Sequence, residues 1–490
     1  MRESGILLHI TSLPSPEGIG TLGAEARAFA DFLKKAGMRI WQVLPISPTG
    51  YAESPYQSFS TFAGNALLLD LRTLKKEGIL TTDEAPDLQG DPEMVDYPRL
   101  IAFKARMLTL AFEQSGITLS GKIKRFREEN AAWLEDYAFF MAIKRHFGNS
   151  SWQKWPDEDI RMRKPAAMKA YREKLKREVD YECFIQYLFF KQWFALKRYA
   201  NERGISIFGD MPIYVAEDSA DAWANPRIFQ LDTERRPTRI AGVPPDYFSA
   251  DGQRWGNPLY DWAYLKKTGY AWWIARLRAM SRIFDLTRVD HFIGFANFYS
   301  VPADEQTARN GLWLPGPGKS LFREIKKELP DMRIVAEDLG AVTPKVRKLM
   351  SETGYPGMKV MTFAFSGDPY SEHLPKYHSK NSVIYTGTHD NNTLLGWWAC
   401  SSVTERNTAI IALGIRHDED LTEAFLRAAL ESQADTAILP MQDVLRLGET
   451  ARMNLPGTVG GNWLWRMKPG AAGKKLAKEL RKLNEQTGRL

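Results

Sequence analysis

Five residues of this sequence carry charge where the surrounding sequence is apolar. Arg288 and Asp290 lie in FDLTRVDHFIGF (284–295), a stretch otherwise suited to a buried strand. Asp210 in IFGDMP, Glu337 in IVAEDLG and Asp390 in GTHDNN each close a similar run. A buried charge is costly unless it is paired. One such pair could be a structural ion pair, and one such acid a helix cap, the plain reading of Asp338 or Asp390 taken alone. Four acids at the ends of four runs point instead to a shared polar pocket. Residues i and i+2 of a strand share a face, so Phe284, Leu286, Arg288 and Asp290 are expected to point the same way.

The elements that must position these residues are short apolar runs followed by helical patterns. The runs are 6–14, 39–46, 205–213, 285–292, 333–340, 358–365, 383–390 and 436–445. Their continuous hydrophobicity suits parallel strands buried on both faces. GAEARAFADFLKKAG ends at Gly37, a good residue just past a helix, and TPKVRKLMSETG opens on Thr343 and Pro344 and closes at Gly354. Eight strands alternating with helices predict an α/β fold, a (β/α)8 TIM barrel spanning 1–490, with the acids at the C-terminal ends of strands three, four, five and seven. Two excursions interrupt the repeat. Residues 66–200 read as a mainly helical, highly charged insertion between strands 2 and 3. Residues 216–280 form a second insertion between strands 3 and 4, partly loop and rich in Pro, Trp and Tyr.

Several chemistries fit this pocket poorly. The seven His show no paired metal-ligand spacing. A carboxylate-only Ca²⁺ or Mg²⁺ site stays open, although Arg288 would compete with a cation. No GxSxG elbow supports a serine hydrolase. The loop PGTVGGN (456–462) lacks the Lys-Ser/Thr ending of a phosphate loop, and Trp463 beside it suits a sugar better. Glycosyl transfer through paired carboxylates fits best. Neighbouring strands lie roughly 4.8 Å apart. Asp290 and Glu337 on adjacent strand ends therefore favour the retaining arrangement, in which carboxyls sit about 5–5.5 Å apart. Repulsion from an ionised Asp290 is expected to keep Glu337 protonated.

Composition narrows the rest. The chain has 490 residues, 44% hydrophobic and 26% charged, enough for a large core. Two cysteines, Cys183 and Cys400, exclude a disulfide framework and suit a reducing compartment. The N-terminus shows no convincing signal peptide and no run approaches a membrane span, so a cytoplasmic location is expected, with no membrane and no nucleic-acid partner. The net charge of +7 sits in segments where acids and bases interleave, as on solvated helix faces. Fifteen Trp and 18 Tyr, many in Gly/Pro-rich segments, offer flat faces that suit sugar rings.

Seven collinear segments extend this reading: SPYQSFSTFAGN (54–65), GDMPIYVAEDSADAW (209–223), GVPPDYFSADGQRWGNPLYDW (242–262), RVDHF (288–292), AEDLG (336–340), GTHDNNT (387–393) and PGTVGGNW (456–463). In them the sequence resembles the 4-α-glucanotransferases of glycoside hydrolase family 77, the amylomaltases or disproportionating enzymes of the α-amylase clan. The resemblance implies Asp290 as nucleophile, Glu337 as general acid/base and Asp390 as transition-state stabiliser. It implies that Arg288 orients the nucleophile, that Asp210 and His389 bind the sugar at the cleavage point, and that Tyr56 stacks beneath it. Ser54, Gln253, Trp255 and Asn462 match positions lining the glucan groove. Strand alternation turns His291 and His389 away from the inner acids; at a strand end that objection is weak for His389 and stands for His291. Ile293 replaces an arginine that the family often carries after HF. The resemblance further implies no cofactor, no metal and no C-terminal β-domain. The implied substrates are maltooligosaccharides and starch- or glycogen-type α-1,4-glucans, with glucose as an acceptor. An α-glucan hydrolase with the same residues and a non-catalytic glycan-binding barrel are the competing readings.

Overall fold

The computed structural model describes residues 2–85, 91–245, 249–416 and 420–490. Twelve strands occur among them: β1 (Glu3–Leu7), β2 (Ile40–Gln42), β3 (Ser206–Met211), β4 (Arg239–Val243), β5 (Gln253–Pro258), β6 (Leu286–Val289), β7 (Asn297–Pro302), β8 (Leu312–Pro315), β9 (Ile334–Ala336), β10 (Gly357–Val360), β11 (Ser382–Tyr385) and β12 (Thr436–Pro440). Eight of them, β1, β2, β3, β6, β9, β10, β11 and β12, pair in parallel in that order and close on themselves. The architecture is a (β/α)8 barrel, and each predicted apolar run supplies one of its strands. The strands are shorter than their runs. β6 stops at Val289, β9 at Ala336 and β11 at Tyr385, so Asp290, Glu337 and Asp390 lie on the chain just leaving the sheet, while Asp210 remains inside β3.

Alternation separates two cores. Leu7, Ile40, Phe208, Leu286, Val335, Met358, Val383 and Ile438, one from each barrel strand, pack together in the barrel interior. Their chain neighbours, among them Ile6, Trp41, Ile207, Ile334, Ile384 and Ala437, belong to the larger layer between barrel and helices. Phe284 corrects the sequence expectation. It precedes β6 and packs in the outer layer, edge-on to Trp193 at 5.8 Å, so the inner face of this segment begins at Leu286. The Phe284 ring lies where a side chain on residue 209 would go, and a Cβ on Gly209 would come within 2.1 Å of it.

The helices follow their punctuation. Ala24–Lys35 buries Phe29, Ala30 and Leu33, and Gly37 leaves it at φ +74°. Thr343 caps Pro344–Thr353 by accepting the Val346 N–H, and Gly354 closes that helix at φ +69°. Between β2 and β3 the described elements are all helical. They end in the 26-residue helix Lys176–Asn201. Two glutamines of that helix clamp the return chain from the barrel rim: Gln186 bonds both N–H and C=O of Gly64, and Gln192 those of Asp70.

A second sheet was not legible in the sequence. β4, β5, β7 and β8 form a four-stranded antiparallel sheet in the order β5-β4-β7-β8. Two of its strands precede β6 and two follow it. The middle of the GVPPDYFSADGQRWGNPLYDW motif, residues 246–248, lies outside the described residues. After β12 the described residues hold no further strand; the helix Lys474–Gln486 packs back against Ala24–Lys35. Among the described residues no helix is long and apolar enough to cross a membrane.

Candidate active site

Two residues above the apolar layer, the same inward alternation delivers polar groups. Gln42 stands two beyond Ile40, Asp210 two beyond Phe208, Arg288 two beyond Leu286, and Glu337 two beyond Val335. Tyr385, within the inner cluster, donates its hydroxyl to Gln42 Oε1 at 3.0 Å. The result is a polar layer over an apolar plug.

Arg288 is the centre of the layer. It is 3% exposed. Nη1 donates to both oxygens of Asp210, at 2.9 and 2.7 Å, and Nη2 reaches Asp290 Oδ1 at 2.7 Å. Burial opposes the arginine's charge, but the two carboxylates outweigh it and hold its pKa well above the ordinary value. Register accounts for this geometry, since Asp210 and Arg288 are direct partners across β3 and β6. Burial pushes the Asp210 carboxyl up in pKa, against the pull of Arg288. The half-buried Asp290 is anchored through its N–H to the Met211 carbonyl at 3.0 Å.

Glu337 leaves β9, the neighbour of β6. It is 7% exposed, and among the described residues its hydrogen bonds come from backbone N–H groups. Oε2 accepts the backbone N–H of His291 at 2.7 Å and Oε1 that of Leu339 at 2.8 Å. Its pKa is pushed up to about 8, first by burial, with Arg288 pulling it down and Asp290 adding to the rise. Like-charge repulsion, the cause expected from sequence, is thus secondary to desolvation.

The rim loop 54–65 brings Tyr56 over the layer. The tyrosine donates to Asp210 Oδ2 at 2.8 Å and therefore accepts from His389 Nε2, also at 2.8 Å. The two rings stack at 5.2 Å with an 11° angle between planes. Trp463 completes the aromatic group, 5.8 Å from Tyr56 and 6.1 Å from His389. Burial, reinforced by Asp210, raises the phenol well above its usual range and keeps it protonated. Ser54 Oγ accepts the Tyr56 N–H at 3.3 Å and so shapes this loop.

Asp390 sits across from these groups. His389 Nε2 approaches its Oδ2 at 3.3 Å, and Asn454 donates to its Oδ1 at 2.7 Å. Arg452 fixes the backbone by donating to the Asp390 carbonyl at 2.8 Å. Neither Asn454 nor Arg452 was singled out in the sequence; the available signal was the polar RMN segment in the chain that follows the last strand and its short helix. Asp338 is no helix cap: it accepts the Met358 N–H at 2.7 Å on the next strand.

The remaining predicted residues join at one remove. Trp255 stands edge-on to His291 at 4.9 Å, and Gln253 accepts its indole N–H at 3.2 Å. Among the described residues Asn462 bonds no acid. Its oxygen accepts the Leu455 N–H at 2.9 Å and its amide donates to Thr458, closing the loop 455–462 upon itself. The His291 ring packs on Trp255 within the field of Asp290, and alternation missed the backbone N–H, which Glu337 binds. Ile293 is buried in the turn after β6. Among the described residues no cluster of His, Cys, Asp and Glu could hold a metal ion. An ionised carboxylate oriented by arginine, beside a carboxyl kept protonated by burial, can attack a carbon while protonating the group that leaves it.

The comparisons with known proteins agree across the chain. The glycoside hydrolase family 77 profile, described as 4-alpha-glucanotransferase, matches residues 8–472. A 4-alpha-glucanotransferase of Streptococcus pneumoniae serotype 4 is 46% identical over 477 residues, covering 95% of this chain and 93% of its own. One from Synechocystis is 48% identical over 498 residues, covering 100% and 98%. The solved structure of an amylomaltase from Streptococcus agalactiae in complex with acarbose superposes with a TM-score of 0.98 at 42% identity, covering 100% of both chains.

Proposed function

The chain belongs to the 4-alpha-glucanotransferases of glycoside hydrolase family 77, and from that premise we propose how its own residues divide the reaction. The enzyme cuts an α-1,4-glucan and passes one part to the 4-hydroxyl of another glucan or of glucose. Asp290 is the nucleophile: its carboxylate attacks the anomeric carbon as Glu337 gives its proton to the glycosidic oxygen, the shortened glucan leaves, and an ester joins sugar to aspartate. The acceptor's hydroxyl then gives its proton to Glu337 and its oxygen displaces Asp290. Two displacements retain the configuration. Asp390 stabilises the positive charge that develops on the sugar, Asp210 and His389 bind that sugar, and Tyr56 stacks beneath it. Ser54, Gln253 and Trp255 belong to the groove wall, and Asn462 to the loop that borders it.

The observation that carries this division is Arg288 bridging Asp210 and Asp290 beside a buried, hydrogen-bonded Glu337 on the next strand. Burial gives Glu337 the pKa of an acid that works near neutrality. The ester on Asp290 removes a neighbouring negative charge, so Glu337 becomes the stronger acid at the moment it must act as base. The helical insertion over 66–200 and the excursion over 216–280 are read as outgrowths of one catalytic barrel. Two cysteines, neither in a disulfide, support work in the cytoplasm.

Incubation with maltotriose separates transfer from hydrolysis. Transfer produces a ladder of longer maltooligosaccharides with glucose or maltose as the part released, and total reducing ends stay nearly constant. A steady climb in reducing ends with nothing longer than maltotriose would replace this reading with a hydrolase.

A further inference from the structure

The N–H that holds Glu337 Oε2 comes from a residue in an uncommon conformation. His291 lies in the left-handed region at φ 50° and ψ 46°. A residue with a Cβ keeps that conformation only where its surroundings fix it. Here the surroundings act on the ring. The imidazole stands edge-to-face on Trp255, with centroids 4.9 Å apart, and lies 6.4 Å from Tyr214. Behind it the turn is tight: a Cβ on Gly294 would come within 3.1 Å of His291 Cδ2. Trp255 belongs to β5 of the small sheet, whereas Glu337 leaves the barrel strand β9. One residue therefore touches the carboxyl with its backbone and the sheet with its ring.

Resting on the reading of Glu337 as acid/base, we propose that His291 is a positioning residue that couples the orientation of Glu337 to the Trp255 wall of the small sheet. The ring serves as a flat plate. Burial lowers its pKa to about 4 against the opposing pull of Asp290, so it is neutral where the enzyme works and adds no charge beside the acid. The charged groups that bear most on Glu337 are Arg288 and Asp290, beside the two backbone N–H groups. Docking of the sheet turns the His291 N–H toward Oε2; loosening it frees the carboxyl to rotate. Acid catalysis thereby depends on an element of the groove wall that carries no acid.

The test compares His291→Val, His291→Phe and Glu337→Gln on two donors, maltotriose and maltosyl fluoride, whose fluoride leaves with little help from an acid. Valine resists the left-handed backbone and supplies no plate; phenylalanine restores the plate. His291→Val is expected to lose on the order of 10²-fold in kcat/KM with maltotriose and less than about tenfold in fluoride release. It should also shift the alkaline limb of the maltotriose pH profile, and His291→Phe should recover most of the loss. Should His291→Val fail to fold, His291→Gly, which accepts the left-handed backbone and supplies no plate, is read the same way. Equal losses on both donors, or a phenylalanine variant as impaired as the valine one, overturn the proposal. Glu337→Gln separates the two levels: if it too shows no dependence on the donor, the acid/base assignment falls and the coupling with it. If it shows that dependence and His291→Val does not, the coupling alone falls.

Discussion

Replacing Glu337 with Gln should make this protein more stable, and increasingly so as pH rises. Burial holds the folded carboxyl protonated up to about pH 8, whereas in the unfolded chain it ionises near 4.5. Below about 4.5 both states carry the proton and the residue costs nothing. Between 4.5 and 8 the unfolded chain has lost its proton and the folded one has not, so folding takes up a proton and stability falls as pH rises. Above 8 the folded carboxyl must ionise too, and the penalty is complete. At 1.36 kcal/mol per pKa unit, the rise from 4.5 to about 8 corresponds to about 5 kcal/mol. Glutamine has the same shape and does not titrate. Its amide nitrogen faces one of the two backbone N–H donors, which adds a cost independent of pH, so the change with pH is the quantity to read. Asp221 and Asp443, both raised to about 6 by burial, contribute equally to the two proteins and cancel. Urea midpoints of both proteins measured from pH 5 to pH 9 should diverge in favour of Glu337→Gln up to about pH 8 and level off above it, while the alkaline limb of wild-type kcat/KM falls near pH 8. Midpoints that keep a constant separation across that range would show that Glu337 ionises normally, and the account of its burial would be wrong.

Three further variants bear on the pocket and its border. Asp290→Asn should fold normally and bind glucans, as calorimetry with a long maltooligosaccharide can show, yet turn none of them over; retained activity would move the nucleophile elsewhere. Asn454→Ala removes a hydrogen bond to a charged partner, worth about 1.5–3 kcal/mol, and should cost roughly 10–100-fold in kcat/KM. Asn462→Ala, which opens only its own loop, should cost less, and the reverse order would return the groove contact to Asn462.

The sequence made the barrel legible because parallel strands buried on both faces leave continuous apolar runs, and eight such runs could be counted. It made the acids legible because charge at the end of such a run has few explanations. Arg288 and Asp290 needed only alternation to be grouped, and Asp210 joined them by closing its own run. Other parts of the site left no such trace. The small sheet is built from RIAGV, QRWGNP, NFYSVP and LWLP, segments with glycine, proline and polar residues where a strand would show alternation, and two of them fall beyond the excursion that contained the others. Glu337 is held by backbone N–H groups, which every residue but proline possesses and which no residue type announces. Asn454 and Asn462 are alike in sequence, each an asparagine in a loop after the last strand. Only the path of the chain turns one toward Asp390 and the other back on Leu455.

The small sheet has a consequence for how this protein could be taken apart. Its inner pairing joins β4 to β7, and between those two strands the chain passes through β6 and the turn carrying Asp290 and His291. The sheet is therefore a clasp around the catalytic strand and not a bead on a string. No single cut-and-paste of contiguous sequence can transplant it, because the piece removed would take Arg288 and Asp290 with it. The helical stretch between β2 and β3 differs, since it leaves and re-enters between two neighbouring barrel strands. Recombination among relatives can trade that stretch whole; the groove wall at Trp255 has to change in place, one residue at a time, with the nucleophile's strand held between its two halves.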